Sequence, residues 1–138
     1  TPYYDPALKR ARLSRLERHP TFAFVQADLA DAAALAGAAD GFAPDRVVHL
    51  AAQAGVRFSI EEPAAYVDAN IRGQVNLLEW VRKSERPPAV FYASSSSVYG
   101  ERADTPFREE DRCDQPVSVY AASKRAGELM AEVYARMY

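Results

Sequence analysis

Two continuous apolar runs constrain the fold of this chain more than any other feature of its sequence. They are Arg46–Ala52 (RVVHLAA) and Ala89–Ala93 (AVFYA). Runs without polar alternation are typical of strands that are covered on both faces, as in a parallel sheet. A long helical pattern, about Pro63 to Lys83, lies between them. This order predicts a strand, a crossover helix and a second, parallel strand.

Helix and strand signals before the first run extend the same alternation. Asp5 is a good N-cap and Pro6 suits the first helical position, so a helix is predicted to begin here and to end at a His-Pro pair. The segment Thr21–Gln26 (TFAFVQ) is predicted to be a short strand. Asp31 is then predicted to cap an alanine-rich helix over Ala32–Ala39.

The two longest helices each have a predicted packing face. In the helix between the apolar runs this face consists of Val67, Ile71, Val75, Leu78 and Val81. The last helix is predicted over Ser118–Tyr138, and its face consists of Leu129, Met130, Val133 and Met137. Three strands that alternate with helices predict an α/β fold with a doubly wound parallel sheet.

Composition excludes several classes of protein. The 138 residues allow one domain with a real core. The 17 basic and 19 acidic side chains give a net charge of −2, without the basic excess that nucleic-acid binding requires. No apolar run is long enough for a membrane span, and no secretory leader opens the chain. The single cysteine, Cys113, fits a reducing compartment, so we expect a cytoplasmic protein without nucleic-acid or membrane partners.

Chemistry-bearing side chains follow the second apolar run. Ser94–Ser97 come directly after it, and ligands of open α/β sheets bind outside the carboxyl ends of strands. Tyr120 and Lys124 are four residues apart on the next predicted helix, so their side chains lie one turn apart on one side. A lysine ammonium close to a phenol favours the phenolate form, which makes tyrosine a useful general base. A serine hydroxyl at the same substrate oxygen would help to hold it.

Each of these features also has a purely structural interpretation. A Tyr-x-x-x-Lys pair is usually solvated surface, and four serines before a helix can be a capping loop. Only their combination at one sheet edge predicts a catalytic site, and no metal site is expected. His49 lies inside an apolar run and is predicted to be a core histidine.

Four motifs occur in an order that resembles one protein family. Asp28-Leu29, His49–Arg57 (HLAAQAGVR), Ala93–Gly100 (ASSSSVYG) and Tyr120–Lys124 (YAASK) are similar to segments of the extended short-chain dehydrogenase/reductases, the NAD-dependent epimerases and dehydratases. The resemblance covers essentially the whole chain. It implies an NAD(P)-binding, Rossmann-like fold with a doubly wound parallel sheet.

The resemblance also implies a role for each matched residue in catalysis. Tyr120 would be the base that removes the O4 proton of the sugar, and Lys124 would hold the nicotinamide ribose. Ser95 would bind O4, with Ser96 and Ser97 beside it in the substrate site. The resemblance implies that NAD contacts Asp28 and Leu29 at its adenine end and Tyr120 and Lys124 at its nicotinamide end. The strand end that lies against the dinucleotide consists of Leu50, Ala51 and Ala52.

The implied activity is inversion of C4 of a nucleotide sugar through a transient 4-keto intermediate. By the same resemblance, related dehydratases and decarboxylases carry Asp or Glu side chains before Val-Tyr-Gly. This chain has Ser95, Ser96 and Ser97 there. A hydroxyl-rich loop suits a uronate carboxylate, so the expected substrate is UDP-glucuronate. Another epimerase, a reductase, a dehydratase and a non-catalytic nucleotide-binding module remain alternatives. By analogy with the family, we expect a homodimer through the two long helices.

One family element has no counterpart in the sequence. Such sheets open with a GxxGxxG loop that holds the pyrophosphate, and no two of the six glycines here are two or three residues apart. In the family's strand order 3-2-1-4-5, Thr21–Gln26 would be the third strand and the two apolar runs the fourth and fifth. We therefore expect residues 1–138 to be the central part of one domain, truncated at both ends. Such a segment alone is expected to be inactive and not to bind NAD tightly.

Overall fold

A parallel pair of strands lies at the centre of the fold, in a computed structural model that describes residues 4–138. Strand β1 (Arg46–His49) and strand β2 (Ala89–Tyr92) pair with Val48 opposite Phe91. The predicted parallel pairing of the two apolar runs, with a helical crossover between them, is confirmed. The first three residues of the domain predicted over 1–138 lie outside the described residues.

The other regular structure of the described chain is helical. Within residues 4–138 the α-helices are α1 (Pro6–Leu16), α2 (Ala32–Ala38), α3 (Phe58–Glu61), α4 (Pro63–Tyr66), α5 (Gly73–Arg82) and α6 (Val119–Met137). The predicted caps of the first two are confirmed, because Asp5 accepts a hydrogen bond from the Ala7 amide and Asp31 accepts bonds from two amides of α2. No helix in this part of the chain has the length and apolar character that crossing a membrane requires.

The crossover helix is interrupted by a π-helical segment, Val67–Arg72, between α4 and α5. The wider turn rotates the buried face away from the predicted stripe. Val67 is 46 % exposed, whereas Tyr66 and Asn70 are buried. Leu78 and Val81, beyond the π segment, are buried as predicted.

Two expectations about strands are wrong, because each requires a neighbouring element that residues 4–138 do not contain. Residues 22–28 form neither helix nor strand, so the predicted strand Thr21–Gln26 is absent. A strand needs a hydrogen-bonded neighbour, and no strand within residues 4–138 pairs with this segment. Similarly, β1 and β2 were expected to be covered on both faces, but Val48 is 65 % and Phe91 57 % exposed. No element of the described chain covers that face.

The packing face of α6 also differs from the prediction. Its apolar residues are exposed or half-buried: Leu129, Met130, Val133 and Met137. The buried residues of α6 are instead Ala121, Ser123 and Gly127. Small side chains let two helices approach closely. A Cβ atom on Gly127 would lie 2.5 Å from Oε1 of Gln74 on α5, so a larger residue here would have to displace the Gln74 side chain.

Candidate functional site

The carboxyl end of β2 and helix α6 are joined by side-chain hydrogen bonds. Lys124 Nζ donates to the carbonyl oxygen of Ala93, the residue after β2, at 2.9 Å. One turn further along α6, Glu128 Oε1 accepts a hydrogen bond from Ser94 Oγ at 2.5 Å. Successive turns of α6 therefore hold successive residues of the strand end. This places the ammonium group of Lys124 beside the segment that carries Ser95.

The serine segment forms a short 3-10 turn, Ser96–Tyr99. Ser95 Oγ caps this turn by accepting a hydrogen bond from the Ser97 amide at 3.2 Å. The capping interpretation of the serines is therefore met at Ser95. Because Ser95 Oγ is the acceptor in this bond, its hydroxyl hydrogen can still donate to another group. Ser96 is exposed, and Ser95 and Ser97 are half-buried at the sheet edge.

Tyr120 lies in the first turn of α6, two residues after the N-cap Ser118. Its ring makes an edge contact with the ring of the fully buried Tyr66, with centroids 6.1 Å apart and planes at 76°. The Tyr66 hydroxyl in turn donates to the carbonyl oxygen of Ala54 at 2.8 Å. Within residues 4–138, no hydrogen bond joins the Tyr120 hydroxyl to Ser95 or Lys124. In this part of the chain the three predicted catalytic residues therefore make no direct hydrogen bonds between their side chains.

A buried amide fixes α6 against the loop after β1. Asn70 Nδ2 donates to Ser123 Oγ at 2.9 Å and to the carbonyl oxygen of Gln53 at 3.1 Å. Asn70 Oδ1 accepts from the amide of Gln53 at 2.7 Å. Ser123 Oγ donates to the carbonyl oxygen of Tyr120 at 2.8 Å. Asn70 therefore makes structural hydrogen bonds that join the crossover helix to both α6 and the loop after β1.

Partial burial sets the electrostatics of this edge. Burial lowers the pKa of Lys124 below its usual value. The pKa of His49, at the end of β1, is lowered first by burial and then by the positive charge of Lys124. Both effects favour a neutral imidazole, which agrees with the prediction of a core histidine.

A cleft of about 570 Å³ lies at the same sheet edge, beside the end of β1. Its lining residues are Gln26, Ala27, Asp28, Leu29, Ala51, Ala52, Gln53 and Ala69. The structure thus brings together four of the residues predicted to bind the cofactor, Asp28, Leu29, Ala51 and Ala52. Leu50 is 70 % exposed and does not line this cleft.

Local hydrogen bonds position the acidic rim of the cleft. Asp28 Oδ1 accepts from the amide of Ala30 at 2.9 Å, so the carboxylate caps the turn before α2. The carbonyl oxygen of Leu29 accepts from Asn76 Nδ2 on α5 at 2.7 Å. Four residues line the cleft without having been predicted as site residues: Gln26, Ala27, Gln53 and Ala69. For Gln53 a signal was present, because it directly follows Ala51-Ala52 at the strand end.

The cleft combines small apolar side chains with one carboxylate. Alanines at 51, 52 and 69 leave room for a flat group to approach the backbone, and the Asp28 carboxylate can accept hydrogen bonds from hydroxyl or amino groups. Within residues 4–138, no three His, Cys, Asp or Glu side chains form a group that could hold a metal ion.

Sequence comparison relates this chain to nucleotide-sugar enzymes. It is 52 % identical over 136 residues to UDP-glucuronate 4-epimerase 3 of Arabidopsis thaliana, covering 99 % of this chain and 31 % of that protein. It is 50 % identical over 138 residues to the probable UDP-glucuronate 4-epimerase of Rhizobium meliloti, covering 100 % of this chain and 40 % of that protein. The chain therefore spans less than half the length of these curated relatives.

Solved structures with the same fold belong to related enzymes. A double mutant of a dTDP-glucose 4,6-dehydratase from Streptomyces venezuelae, with NAD bound, superimposes with a TM-score of 0.82 at 32 % identity, over 94 % of this chain and 39 % of that chain. The UDP-glucose 4-epimerase of Brucella ovis in complex with NAD gives a TM-score of 0.77 at 34 % identity, over 83 % and 35 % of the two chains. The predicted Rossmann-like fold class is thereby confirmed, although with two strands rather than three.

The family assignment follows from a match along almost the whole chain. Residues 4–138 match the sequence profile of the family described as GDP-mannose 4,6 dehydratase. The two relatives described above are named as epimerases, so the profile identifies the family rather than one reaction. This chain therefore belongs to the GDP-mannose 4,6 dehydratase family, within the extended short-chain dehydrogenase/reductases that its motifs resemble.

Proposed function

We propose that this chain is the central segment of an NAD-dependent nucleotide-sugar epimerase, which inverts C4 of UDP-glucuronate. The observation that carries the proposal is the hydrogen bond from Lys124 to Ala93, because it places a cation at the strand end that bears Ser95. The names of the relatives at 50–52 % identity support the choice of reaction. The length of those relatives supports a longer polypeptide, called here the complete polypeptide.

The residues of the cleft beside β1 are suited to the adenine end of NAD. The small side chains of Ala51 and Ala52 allow close approach, and the carboxylate of Asp28 can accept hydrogen bonds. Leu29 and the exposed Leu50 offer apolar contact at its margin. When bound, NAD supplies reversible hydride transfer at C4 of the sugar. The chain has no glycine-rich loop for the pyrophosphate, so these residues hold only part of the cofactor.

The proton chemistry falls to three side chains of this chain. Tyr120 accepts the proton of the O4 hydroxyl as general base and returns it in the second half of the cycle. Lys124 stabilises the phenolate electrostatically and would bind the nicotinamide ribose. Ser95 donates a hydrogen bond to O4, which its capping bond to Ser97 leaves it free to do. Oxidation of C4 to the 4-keto sugar and its reduction on the other face leave no net redox change.

The serine segment supports the choice of a uronate substrate. Ser95, Ser96 and Ser97 present hydroxyl groups and no carboxylate to the substrate. Hydroxyl groups can donate to a glucuronate carboxylate, whereas an Asp or Glu would repel it. Ser97→Glu in the complete polypeptide is expected to weaken UDP-glucuronate binding at least about tenfold, a loss typical of one good interaction. Unchanged affinity in a binding titration would contradict this choice of substrate.

The same residues fit other reactions of the family less well. The dTDP-glucose 4,6-dehydratase structure makes dehydration the main alternative. Elimination of water requires an acid and a base near C5 and C6, and the serine segment offers neither. A reductase or a different epimerase would keep the same three side chains. A homodimer through the crossover helix and α6 remains part of the proposal, by analogy with the family.

Replacement of one phenol tests the proposal. Tyr120→Phe in the complete polypeptide is expected to lower kcat by about 10²-fold or more, the usual contribution of a general base, with NAD affinity retained. Tyr134→Phe makes the same change further along α6, where the hydroxyl bonds to Glu79, and serves as the matched control. Normal turnover by Tyr120→Phe would overturn the catalytic role and favour a nucleotide-binding module.

The 138-residue chain provides a separate test of the segment proposal. Because it lacks residues for the pyrophosphate, it is expected to show no epimerase turnover and no tight NAD binding. Calorimetric titration with NAD and an assay with UDP-glucuronate measure both. Turnover by this chain alone would overturn the proposal that it is one segment of a longer enzyme.

A further inference from the structure

Glu128 has no role in the proposed chemistry, yet its carboxylate is held on both sides. Oε1 accepts from Ser94 Oγ at 2.5 Å, and Oε2 accepts from Arg125 Nη1 at 2.8 Å. The side chain of Glu128 is 21 % exposed and that of Arg125 34 %. With one partner on each oxygen, the carboxylate has a defined orientation. Arg125 thereby orients the carboxylate that accepts the hydrogen bond from Ser94.

The bond to Ser94 acts together with the bond from Lys124. Lys124 holds the carbonyl oxygen of Ala93, and Glu128 holds the next side chain along. Two anchors on consecutive residues fix both the position and the rotation of the chain that leaves β2, because the intervening peptide is planar. Ser95 follows in extended conformation, with φ −156° and ψ 145°. The direction of its side chain therefore depends on the peptide that these two anchors hold.

We infer that Glu128 is a positioning residue for the Ser95 hydroxyl and acts through Ser94. It touches neither substrate nor cofactor in this arrangement, so it is not a catalytic residue. The inference rests on the proposed function, because the role of Ser95 at O4 is what makes its position matter. Misplacing a reacting group by about 1 Å can lower a rate by about 10²-fold. Partial misplacement of one hydrogen-bond donor should therefore be measurable in kcat.

Substitutions at Glu128 in the complete polypeptide test this positioning. Glu128→Ala is expected to lower kcat about tenfold, with smaller effects on KM and on NAD affinity, since only an interaction with the reacting oxygen is weakened. Glu128→Gln keeps an acceptor for Ser94 Oγ and is expected to retain most of the activity. Ser94→Ala should match Glu128→Ala. The control is Glu132→Ala, one turn further along α6, where an exposed ion pair with Arg136 is lost.

A double-mutant cycle separates positioning from general destabilisation. In a Ser95→Ala background, Glu128→Ala is expected to cause no further loss of kcat, because its effect passes through the missing hydroxyl. A full further loss in that background, or an unchanged kcat in Glu128→Ala alone, would overturn the inference. Loss of positioning should also speed amide hydrogen exchange over residues 94–100, which Glu132→Ala leaves unchanged. Equal exchange in the two variants counts against it.

A failure of the proposed function would be detected by a different variant, Tyr120→Phe. If Tyr120→Phe retains turnover, the catalytic assignment is wrong, and the inference about Glu128 fails with it. If Tyr120→Phe abolishes turnover while Glu128→Ala matches the parent, only the positioning role is wrong. The two variants measured side by side therefore distinguish the two failures.

Discussion

The ammonium nitrogen of Lys124 lies 2.9 Å from the carbonyl oxygen of Ala93, which ties helix α6 to the end of β2. The bond satisfies a carbonyl group at the strand end and keeps a half-buried cation in place. Because the backbone carbonyl is neutral, the charge of Lys124 remains available to an anion beside it. The same contact thus serves both the packing of the helix and the proposed chemistry.

Replacing this lysine should separate activity from stability. Lys124→Met in the complete polypeptide is expected to lower kcat by about 10²-fold or more, because the cation proposed to act beside the reacting groups is lost. Stability should fall by only about 1 kcal/mol, since loss of the hydrogen bond is offset by removal of a desolvated charge. Steady-state kinetics and urea unfolding measure the two effects. Lys83→Met, at an exposed position on the surface, should change neither.

Asn70 should be among the most sensitive buried positions. Asn70→Ala removes two bonds to Gln53 and one to Ser123, and it leaves the buried Gln53 amide without its acceptor. The expected loss in free energy of unfolding is about 2–4 kcal/mol, from the range for unsatisfied buried groups. Asn76→Ala removes one bond, to Leu29, and is expected to cost about 1 kcal/mol. Equal unfolding midpoints for the two variants would contradict this difference.

Gly127 and Gly37 should respond in opposite directions to the same substitution. A Cβ atom at Gly127 would meet the side chain of Gln74, which is buried and donates to the carbonyl oxygen of Gly127 at 2.8 Å. Gly127→Ala is therefore expected to destabilise the fold by about 1–3 kcal/mol. Nothing lies within 4 Å of a Cβ at Gly37 in α2, so Gly37→Ala should stabilise by about 0.5–1 kcal/mol. Chemical unfolding of both variants tests the pair.

Much of this fold could be predicted from local signals in the sequence. Asp5 and Asp31 cap the helices that they were predicted to cap, since a cap depends only on the next few residues. The predicted strand Thr21–Gln26 fails because a strand depends on a neighbour that residues 4–138 do not provide. The buried face of α6 likewise could not be read from hydrophobicity, because it consists of the small residues Ala121, Ser123 and Gly127.

Some residues of the candidate site could be predicted from the sequence, and others could not. Asp28, Leu29, Ala51 and Ala52, which the family resemblance implied as cofactor contacts, line one cleft. Glu128 could not be found from the sequence. Its contact with Ser94 joins residues 34 positions apart, and neither residue type is unusual where it occurs. Long-range polar contacts of this kind require coordinates.

His49 should make stability depend on pH near neutrality. Burial and the charge of Lys124 lower its pKa in the folded state below the usual 6.5, so below that pH the unfolded chain binds a proton that the folded chain resists. Stability is therefore full above about pH 6.5 and should fall as the pH drops towards the folded-state pKa. Thermal midpoints between pH 5.5 and 7.5 measure this dependence. His49→Gln should flatten it, whereas His19→Gln, at an exposed position after α1, should not; equal slopes in the two variants would rule out His49 as the source.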